Sequence, residues 1–264
     1  LLTLIIMTIA SSTSALAATD SIVLGMGCFW GAEKRMSELP GVTDVESGYA
    51  SFLAYYRANY FPHLPAERDA RILVISCGPG YLVNMLVQAG YRNVIGIGSD
   101  AAKVEHARKR NLPCEVARAF AFLSRAEQAY DVIIPEQELN HLTHEETIAF
   151  LRLCSRALRP GGRTIVYAMN GANPLVGSEN SAHNIDHFYN VTEYSLSQLL
   201  QLGGFTDIKP FALKLYVFWK NPLNYVGLAA TTVLEVTMRV IFMLYGKKVT
   251  VLSKKVAAVA IVPR

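Results

Sequence analysis

Short apolar runs alternate with segments of helical spacing from residue 71 to residue 168. The runs predict strands over Ile72–Ile75, Asn93–Ile97, Tyr130–Ile134 and Thr164–Ala168, with a shorter one near Pro113–Val116. The segments between them predict helices over Tyr81–Ala89, Ala101–Arg110 and Ala121–Glu127, and from a Thr143/Glu146 capping box to Pro160. Strands that alternate with helices of this length indicate a parallel sheet with right-handed crossovers. We therefore predict an α/β fold with a doubly wound, mostly parallel sheet.

The C-terminal part follows a different pattern. A helix is predicted over Glu193–Leu202, followed by strands near Asp207–Lys209 and Ala212–Phe218 and a closing strand over Val251–Val262. The segment Tyr225–Tyr245 is apolar, and only Glu235 and Arg239 are charged in it. Its length allows a membrane span. The pattern favours an amphipathic helix that covers the sheet, so membrane association is not the preferred interpretation.

The N-terminal 50 residues do not follow this alternation of strands and helices. Residues 1–18 combine an apolar run with the small residues Ala15 to Ala18, which is typical of a secretory signal. Residues 19–50 then hold a strand pattern, a glycine-rich turn and a short helix. We expect three parts: a signal-like segment over 1–18, an N-terminal appendage over 19–50, and one α/β domain over 51–264.

Composition narrows the class of protein. Hydrophobic residues make up 52% of the 264-residue chain and charged residues 17%, so the chain can bury a large core. The net charge of +4 comes from scattered basic residues without interleaved aromatic residues, so we expect no nucleic-acid partner. The four cysteines, Cys28, Cys77, Cys114 and Cys154, lack zinc-site spacing, so we expect no metal site. Three of them lie in segments with a buried α/β pattern, and for those we expect reduced, cytoplasmic thiols.

The glycine turn (Ser76–Gly80) is the strongest chemical signal, because it follows a buried strand directly and precedes a helix. Together with Val94-Ile-Gly-Ile97, Tyr130-Asp-Val-Ile-Ile134 and Arg156-Ala-Leu-Arg-Pro-Gly-Gly162, it resembles the class I S-adenosylmethionine-dependent methyltransferases. The resemblance extends from Arg71 to about Val262. It implies a Rossmann-like fold, S-adenosylmethionine as cofactor and a small-molecule methyl acceptor.

The resemblance also implies the site. Eight positions correspond to the cofactor-binding segments of that family: Ser76, Cys77, Gly78, Gly80, Gly98, Asp100, Ala119 and Glu136. His141 and His187 correspond to the loops that face the acceptor, and we expect them to assist catalysis. Methyl transfer needs alignment of donor and acceptor and, for an oxygen or nitrogen acceptor, a base.

Several positions depart from the family pattern. Gly98 stands where the family has the acid that binds both ribose hydroxyls, and Asp100 follows two residues later. Ser76 replaces the first glycine, and Arg118 replaces an acid on the adenine side. A lost charged hydrogen bond costs about 1.5–3 kcal/mol. A catalytically inactive methyltransferase-like domain is therefore the alternative hypothesis.

The appendage has its own resemblance. Gly27-Cys-Phe-Trp-Gly-Ala-Glu33, with Ser47-Gly-Tyr-Ala50 behind it, resembles the start of peptide-methionine (S)-S-oxide reductases. In that family the cysteine attacks the sulfoxide and the glutamate serves its oxygen, roles that fall on Cys28 and Glu33. Methionine sulfoxide reduction through Cys28 is the third hypothesis.

Overall fold

The computed structural model describes residues 49–137, 139–183, 185–214 and 222–264. The signal-like segment and most of the reductase-like appendage, including Cys28 and Glu33, lie outside the described residues. The predicted strand over Ala212–Phe218 also falls partly outside them.

A mixed sheet with strand order β3-β2-β1-β4-β5-β7-β6 organises these residues. The strands are β1 (Arg71–Ile75), β2 (Asn93–Gly98), β3 (Cys114–Val116), β4 (Tyr130–Pro135), β5 (Leu158–Met169), β6 (Thr206–Ala212) and β7 (Lys255–Ile261). The pairs from β3 to β5 are parallel, whereas β7 is antiparallel to both β5 and β6. The predicted doubly wound, mostly parallel sheet is confirmed.

The helices are α1 (Tyr49–Asn59), α2 (Tyr81–Gln88), α3 (Ala101–Lys109), α4 (Ala119–Leu123), α5 (His144–Ala157), α6 (Gly177–His183), α7 (Glu193–Leu202) and α8 (Pro222–Leu244). Thr143 is the N-cap of helix α5: its side chain accepts a hydrogen bond from the Glu146 N–H, and the Glu146 carboxylate accepts one from the Thr143 N–H. The predicted capping box is therefore confirmed, and it fixes the start of the helix that follows the site loop.

The core lies where α5 and α7 cover the sheet. Leu151 and Cys154 on α5, Leu196 and Leu200 on α7, and Val166 on β5 are fully buried in one cluster. Their spacing along each helix is the apolar period that the sequence shows. This packing holds the carboxyl ends of β1, β2 and β4 in place.

Three predicted elements differ in the structure. Strand β5 begins at Leu158, because Leu158 pairs with Tyr130 of β4, and Pro160 to Gly162 form an irregularity within the strand, with Gly161 at φ of 77°, instead of a separate turn. Helix α4 ends at Leu123, so the helix predicted over Ala121–Glu127 is shorter and begins earlier. The expectation that α8 covers the sheet is wrong, since none of the residues Tyr225–Leu244 is buried.

Candidate active site

The glycine turn connects β1 to α2 through three residues with left-handed backbone. Ser76, Gly78 and Gly80 have φ values of 57°, 52° and 83°. Gly80 lies so close to α3 and β3 that a Cβ there would come within 2.9 Å of Leu112 Cδ1. Glycine is therefore required at Gly80 by both conformation and space. Ser76 adopts, with a side chain, a conformation that favours glycine.

Helix α1 packs against this turn. The Tyr49 hydroxyl donates to the Pro79 carbonyl at 2.6 Å. The rings of Phe52 and Tyr81 stack with their centroids 5.0 Å apart. These contacts join the first described helix to the first turn of α2, so the aromatic residues of α1 fix the glycine turn.

A cavity of about 280 Å³ opens at the carboxyl ends of β1, β2 and β4. Of the predicted cofactor-binding residues, Ser76, Gly98 and Ala119 line it. The remaining lining residues are Ile75, Ile97, Ser99, Ala117, Arg118, Phe120, Pro135, Gln137, Leu139, Leu142 and Phe150. The walls are mostly apolar, and only a few of the lining residues have polar side chains, as is usual in small-molecule sites.

Ser99, Phe120 and Gln137 are among the lining residues that sequence reasoning missed. The Ser76 hydroxyl donates to Gln137 Oε1 at 3.1 Å, which joins the β1 turn to the β4 loop across the floor of the cavity. For Ser99 and Gln137 the available signal was their position, because side chains one or two residues past a parallel strand reach the same edge of the sheet. Phe120 lies four residues past β3 and carries no such signal.

Asp100 serves the backbone rather than the cavity. Its carboxylate caps α3 and accepts from the N–H groups of Ala102 and Lys103 at 3.1 and 3.2 Å. The hydrogen bond from the Lys103 N–H, more than any other interaction, holds the pKa of Asp100 below its usual value. Asp100 does not line the cavity. If its carboxylate bound the ribose hydroxyls instead, helix α3 would lose its N-cap.

Glu136 lies behind the cavity wall. The Tyr56 hydroxyl donates to Glu136 Oε2 at 2.5 Å, and the Tyr167 hydroxyl donates to the Glu136 carbonyl at 2.9 Å. Burial raises the pKa of the Glu136 carboxyl to about 7, against the opposing effect of the Tyr56 hydrogen bond. Glu136 thus connects α1, β4 and β5, and its cofactor role remains a prediction.

Cys77 does not line the cavity. It is buried, and its thiol interacts with that of Cys114 behind Gly96. The hydrogen bond with Cys114 and burial both raise the pKa of the Cys77 thiol, so a thiolate is disfavoured. The backbone N–H of Cys77 donates to the Ile97 carbonyl at 2.9 Å, which ties the glycine turn to β2. Cys77 therefore packs the turn from behind.

The two predicted catalytic histidines come together. The His141 and His187 rings meet edge to face with centroids 4.7 Å apart, and His141 Nδ1 lies 3.1 Å from Asp186 Oδ2. One side-chain nitrogen or oxygen of each of these three residues lies within 4.8 Å of the others. Asp186 was not among the predicted site residues. We call His141, Asp186 and His187 the histidine cluster.

The cluster adjoins the cavity through the β4 loop. His141 ends a short 3₁₀ helix, Leu139–His141, and both Leu139 and Leu142 line the cavity. The Phe188 N–H donates to the Asn140 carbonyl at 2.9 Å, which holds the two loops of the cluster together. The arrangement places an imidazole pair, with a carboxylate to orient one ring, beside an apolar cavity.

Comparison with known proteins finds methyltransferases that are similar to the α/β domain. A family model described as a methyltransferase domain matches residues 72–162. The ubiquinone biosynthesis O-methyltransferase of Saccharophagus degradans is 30% identical over 168 residues, which cover 56% of this chain and 68% of that protein. The enzyme of the same name from Parvibaculum lavamentivorans is 28% identical over 187 residues, covering 61% and 71%.

Solved structures share the architecture. The crystal structure of a SAM-dependent methyltransferase from Archaeoglobus fulgidus superposes with a TM-score of 0.61 at 18% identity, covering 88% of this chain and 99% of that one. A SAM-dependent methyltransferase from Thermotoga maritima, described as a possible histamine N-methyltransferase, gives 0.54 at 16% identity, covering 88% and 92%. At these identities the likeness concerns the fold.

The N-terminal segment matches a second family. A peptide methionine sulfoxide reductase model matches residues 20–57. The reductase MsrA of Halobacterium salinarum is 62% identical over 32 residues, which are 12% of this chain and 18% of that protein. The chain therefore spans less than a fifth of that relative. Its larger domain, by strand order, cavity position and the matches above, belongs to the S-adenosylmethionine-dependent methyltransferases.

Proposed function

We propose that the domain transfers a methyl group from S-adenosylmethionine to a hydroxyl oxygen of a small aromatic acceptor. The observation that carries the proposal is the apolar cavity at the carboxyl ends of β1, β2 and β4 with the histidine cluster beside it. The names of the curated relatives, ubiquinone biosynthesis O-methyltransferases, support an oxygen acceptor.

The residues present fit the donor in shape. Gly98 lines the cavity without a side chain, and Ile97, Phe120 and Leu142 offer apolar surface to an adenosyl group. Ser99 supplies a hydroxyl one residue past the position of the missing ribose acid. S-adenosylmethionine, when bound, supplies a sulfonium-activated methyl group. Gly98, Ser99 and Phe120 would hold its adenosyl part, and the glycine turn would face its methionine part.

The histidine cluster supplies the base. Asp186 accepts from His141 Nδ1–H in the tautomer whose Nε2 carries no proton, and that nitrogen is the basic one. An acceptor hydroxyl that reaches His141 or His187 would lose its proton as the oxygen becomes nucleophilic, a contribution of typically 10²–10⁴-fold. Leu139 and Leu142 make the cavity wall next to the cluster apolar.

Two measurements separate binding from chemistry. Calorimetric titration with S-adenosylmethionine tests the donor site, and methylation of catechol with a labelled donor tests the transfer. His141→Gln should keep donor affinity and lower the methylation rate by roughly 10²-fold. Asp186→Asn should produce a smaller loss, because it affects only the orientation of His141.

A chelator control distinguishes a base from a metal ligand. If His141 acts as a base, dialysis against EDTA leaves catechol methylation unchanged in the native chain. Loss of activity on chelation, restored by a divalent cation, would contradict the base assignment. Donor binding without methylation of any phenolic acceptor tested would contradict the oxygen-acceptor proposal.

The rival hypothesis, a domain that no longer binds the donor, rests on Asp100 and Gly98. Asp100 is committed to the cap of α3, and the lining holds no acidic side chain among the described residues. Gly98→Asp restores an acid at the ribose position, where a Cβ would meet Val104 Cγ2 at 3.2 Å. Regaining a charged hydrogen bond should tighten donor binding roughly tenfold or more.

Gly98→Asn is the matched control, since it adds the same volume without charge. Equal affinities of the two variants would show that the ribose does not reach this position. No heat from the native chain or from Gly98→Asp at millimolar donor would support the inactive domain.

The third hypothesis, sulfoxide reduction, rests on the N-terminal match alone, and Cys28 lies outside the described residues. The test is reduction of a methionine sulfoxide peptide by the full chain and by Cys28→Ser. Activity that disappears in Cys28→Ser would support it, whereas an inactive native chain would remove it.

A further inference from the structure

Helix α8 presents an apolar surface that no other part of the described chain covers. Its residues Tyr225–Leu244 have a mean hydropathy of 1.6, and none of them is buried. Val226, Val233 and Val240 are 66%, 67% and 47% exposed. Residues seven apart lie on the same face of a helix, so these three form one continuous line, the valine stripe. An exposed apolar surface of this length marks a binding surface.

The ion pair and one hydroxyl of α8 have partners within the chain. Glu235 and Arg239 face each other at 4.0 Å, and Arg239 donates to the Thr250 carbonyl at 3.0 Å. Thr237 is the hydroxyl on the side of the valine stripe, and it donates to the Val233 carbonyl at 2.9 Å. The ion pair therefore faces the returning chain, whereas the valine stripe faces outward.

The topology rules out a membrane-spanning orientation. Helix α8 connects β6 to β7, and these strands are hydrogen-bonded neighbours in one sheet. After Leu244 the chain turns at Gly246 and returns to β7 at Lys255. A span would place β7 across the membrane from β6. If a bilayer covers α8, the helix lies in the plane of its surface.

The charge distribution identifies the kind of surface. From Ile208 to Arg264 the chain carries nine Lys and Arg residues and one acidic residue, whereas the rest of the chain carries more acidic than basic residues. Lys247 and Lys248 lie three and four residues past the end of α8 and are exposed. Tyr225 and Tyr245 are 45% and 81% exposed, and their amphipathic rings are of the kind that prefers the headgroup region.

We propose that α8 is an in-plane anchor for an anionic lipid bilayer. The valine stripe enters the boundary between acyl chains and headgroups, and Lys247 and Lys248 bind the anionic headgroups. Pairing of two copies through α8 would bring two strongly basic segments together, so the charge favours a lipid surface over a second copy.

The test is co-sedimentation of the full chain with vesicles of phosphatidylcholine alone or mixed with phosphatidylglycerol. The native chain should sediment with the mixed vesicles and far less with the neutral ones. Val233→Glu and Val240→Glu together should reduce the bound fraction at least roughly tenfold, because each removes an inserted apolar side chain. Lys247→Gln with Lys248→Gln should weaken binding to the mixed vesicles roughly tenfold and leave neutral vesicles unaffected.

Val87→Glu is the matched control. Val87 is a helical valine on α2 with 42% exposure, close to that of Val240. It should leave vesicle binding unchanged, so a loss shared by Val87→Glu and the double valine variant would mean that added negative charge, not α8, sets the binding. A native chain that stays in solution with mixed vesicles overturns the proposal. A dimer that Val233→Glu separates, without vesicle binding, assigns the surface to a second copy and also overturns it.

Discussion

Helices α5 and α8 both carry apolar residues at helical spacing, yet their environments are opposite. On α5, Leu151 and Cys154 are fully buried between the sheet and α7. On α8, Leu223 and Leu244 are 73% and 77% exposed. The period predicts a helix in both cases but does not say what covers it. The partner is decided by topology, because α5 crosses between parallel neighbours whereas α8 is inserted between the antiparallel strands β6 and β7.

The largest contrast should come from removing a leucine on each helix. Leu151→Ala on α5 leaves a cavity in close-packed surroundings, so the free energy of unfolding should fall by about 2–5 kcal/mol. Leu244→Ala on α8 removes a side chain that water already reaches, so the change should stay within about 0.5 kcal/mol. Urea unfolding of both variants, followed by circular dichroism, measures the difference.

Equal decreases in the free energy of unfolding of the two variants would contradict the difference in burial between the two helices. A large loss for Leu244→Ala in dilute protein would mean that α8 has an apolar partner in solution. Repeating the measurement over a range of protein concentrations shows whether that partner is a second copy, since only association depends on concentration.

The same contrast explains what the sequence predicts well. Helix α7, over Glu193–Leu202, and the Thr143 capping box could be predicted to the residue, because the signals for these starts and stops are local. The Gly161 region could not, because a glycine pair after a helix indicates a turn while pairing with β4 and β7 keeps it in β5. The outward face of α8 could not be predicted either, since spacing does not reveal strand order.

The candidate site likewise combines positions that the sequence predicts with positions that it does not. Parallel strands followed by small or polar residues indicate the edge where Ser76 and Gly98 meet. The position of Asp186 beside His141, by contrast, results from a contact between residues 45 apart in the chain, and no local pattern records it. The capping role of Asp100 is visible locally, as an acid directly before a helix, and it competes with any role toward a ligand.

Gly80 and Gly246 both have a left-handed backbone, but Gly80 lies in a crowded region and Gly246 in an open one. Gly80 has φ of 83°, and a Cβ added there would lie 2.9 Å from Leu112 Cδ1, whereas Gly246 has φ of 68° and a Cβ there would meet nothing within 4 Å. Gly80→Ala should lower the free energy of unfolding by about 2–4 kcal/mol, from strain and overpacking together. Gly246→Ala should cost about 1 kcal/mol, from strain alone. Thermal unfolding of both variants measures the gap, and similar midpoints would contradict the crowding at Gly80.

Glu136 should make stability depend on pH. Its folded pKa of about 7 lies above the ordinary value of 4.5, so the folded chain binds more protons than the unfolded chain between these values. Stability is then highest below about pH 4.5 for this group and falls as pH rises toward 7, by about 1–3 kcal/mol. Glu136→Gln removes the titrating proton, so the dependence should flatten in denaturant unfolding measured across this window.

Tyr56→Phe tests Glu136 by removing the hydroxyl that donates a hydrogen bond to its carboxylate. The hydrogen bond from Tyr56 lowers the pKa of Glu136, so its loss should raise that pKa and move the fall in stability to higher pH. An unchanged pH profile in both variants would mean that another group carries the dependence.

The smallest expected effect concerns Ser76, which has a side chain where its backbone, at φ of 57°, favours glycine. Ser76→Gly relieves left-handed strain of about 1–2 kcal/mol and gives up about 0.4–1 kcal/mol through the freer unfolded chain, so stability should rise slightly. Asn111 is the matched comparison, since it has φ of 58° at the end of α3 and does not line the cavity. Asn111→Gly should gain less, because asparagine tolerates this conformation better. Donor affinity measured by calorimetry should change in Ser76→Gly and stay constant in Asn111→Gly, because only Ser76 lines the floor of the cavity and bonds to Gln137.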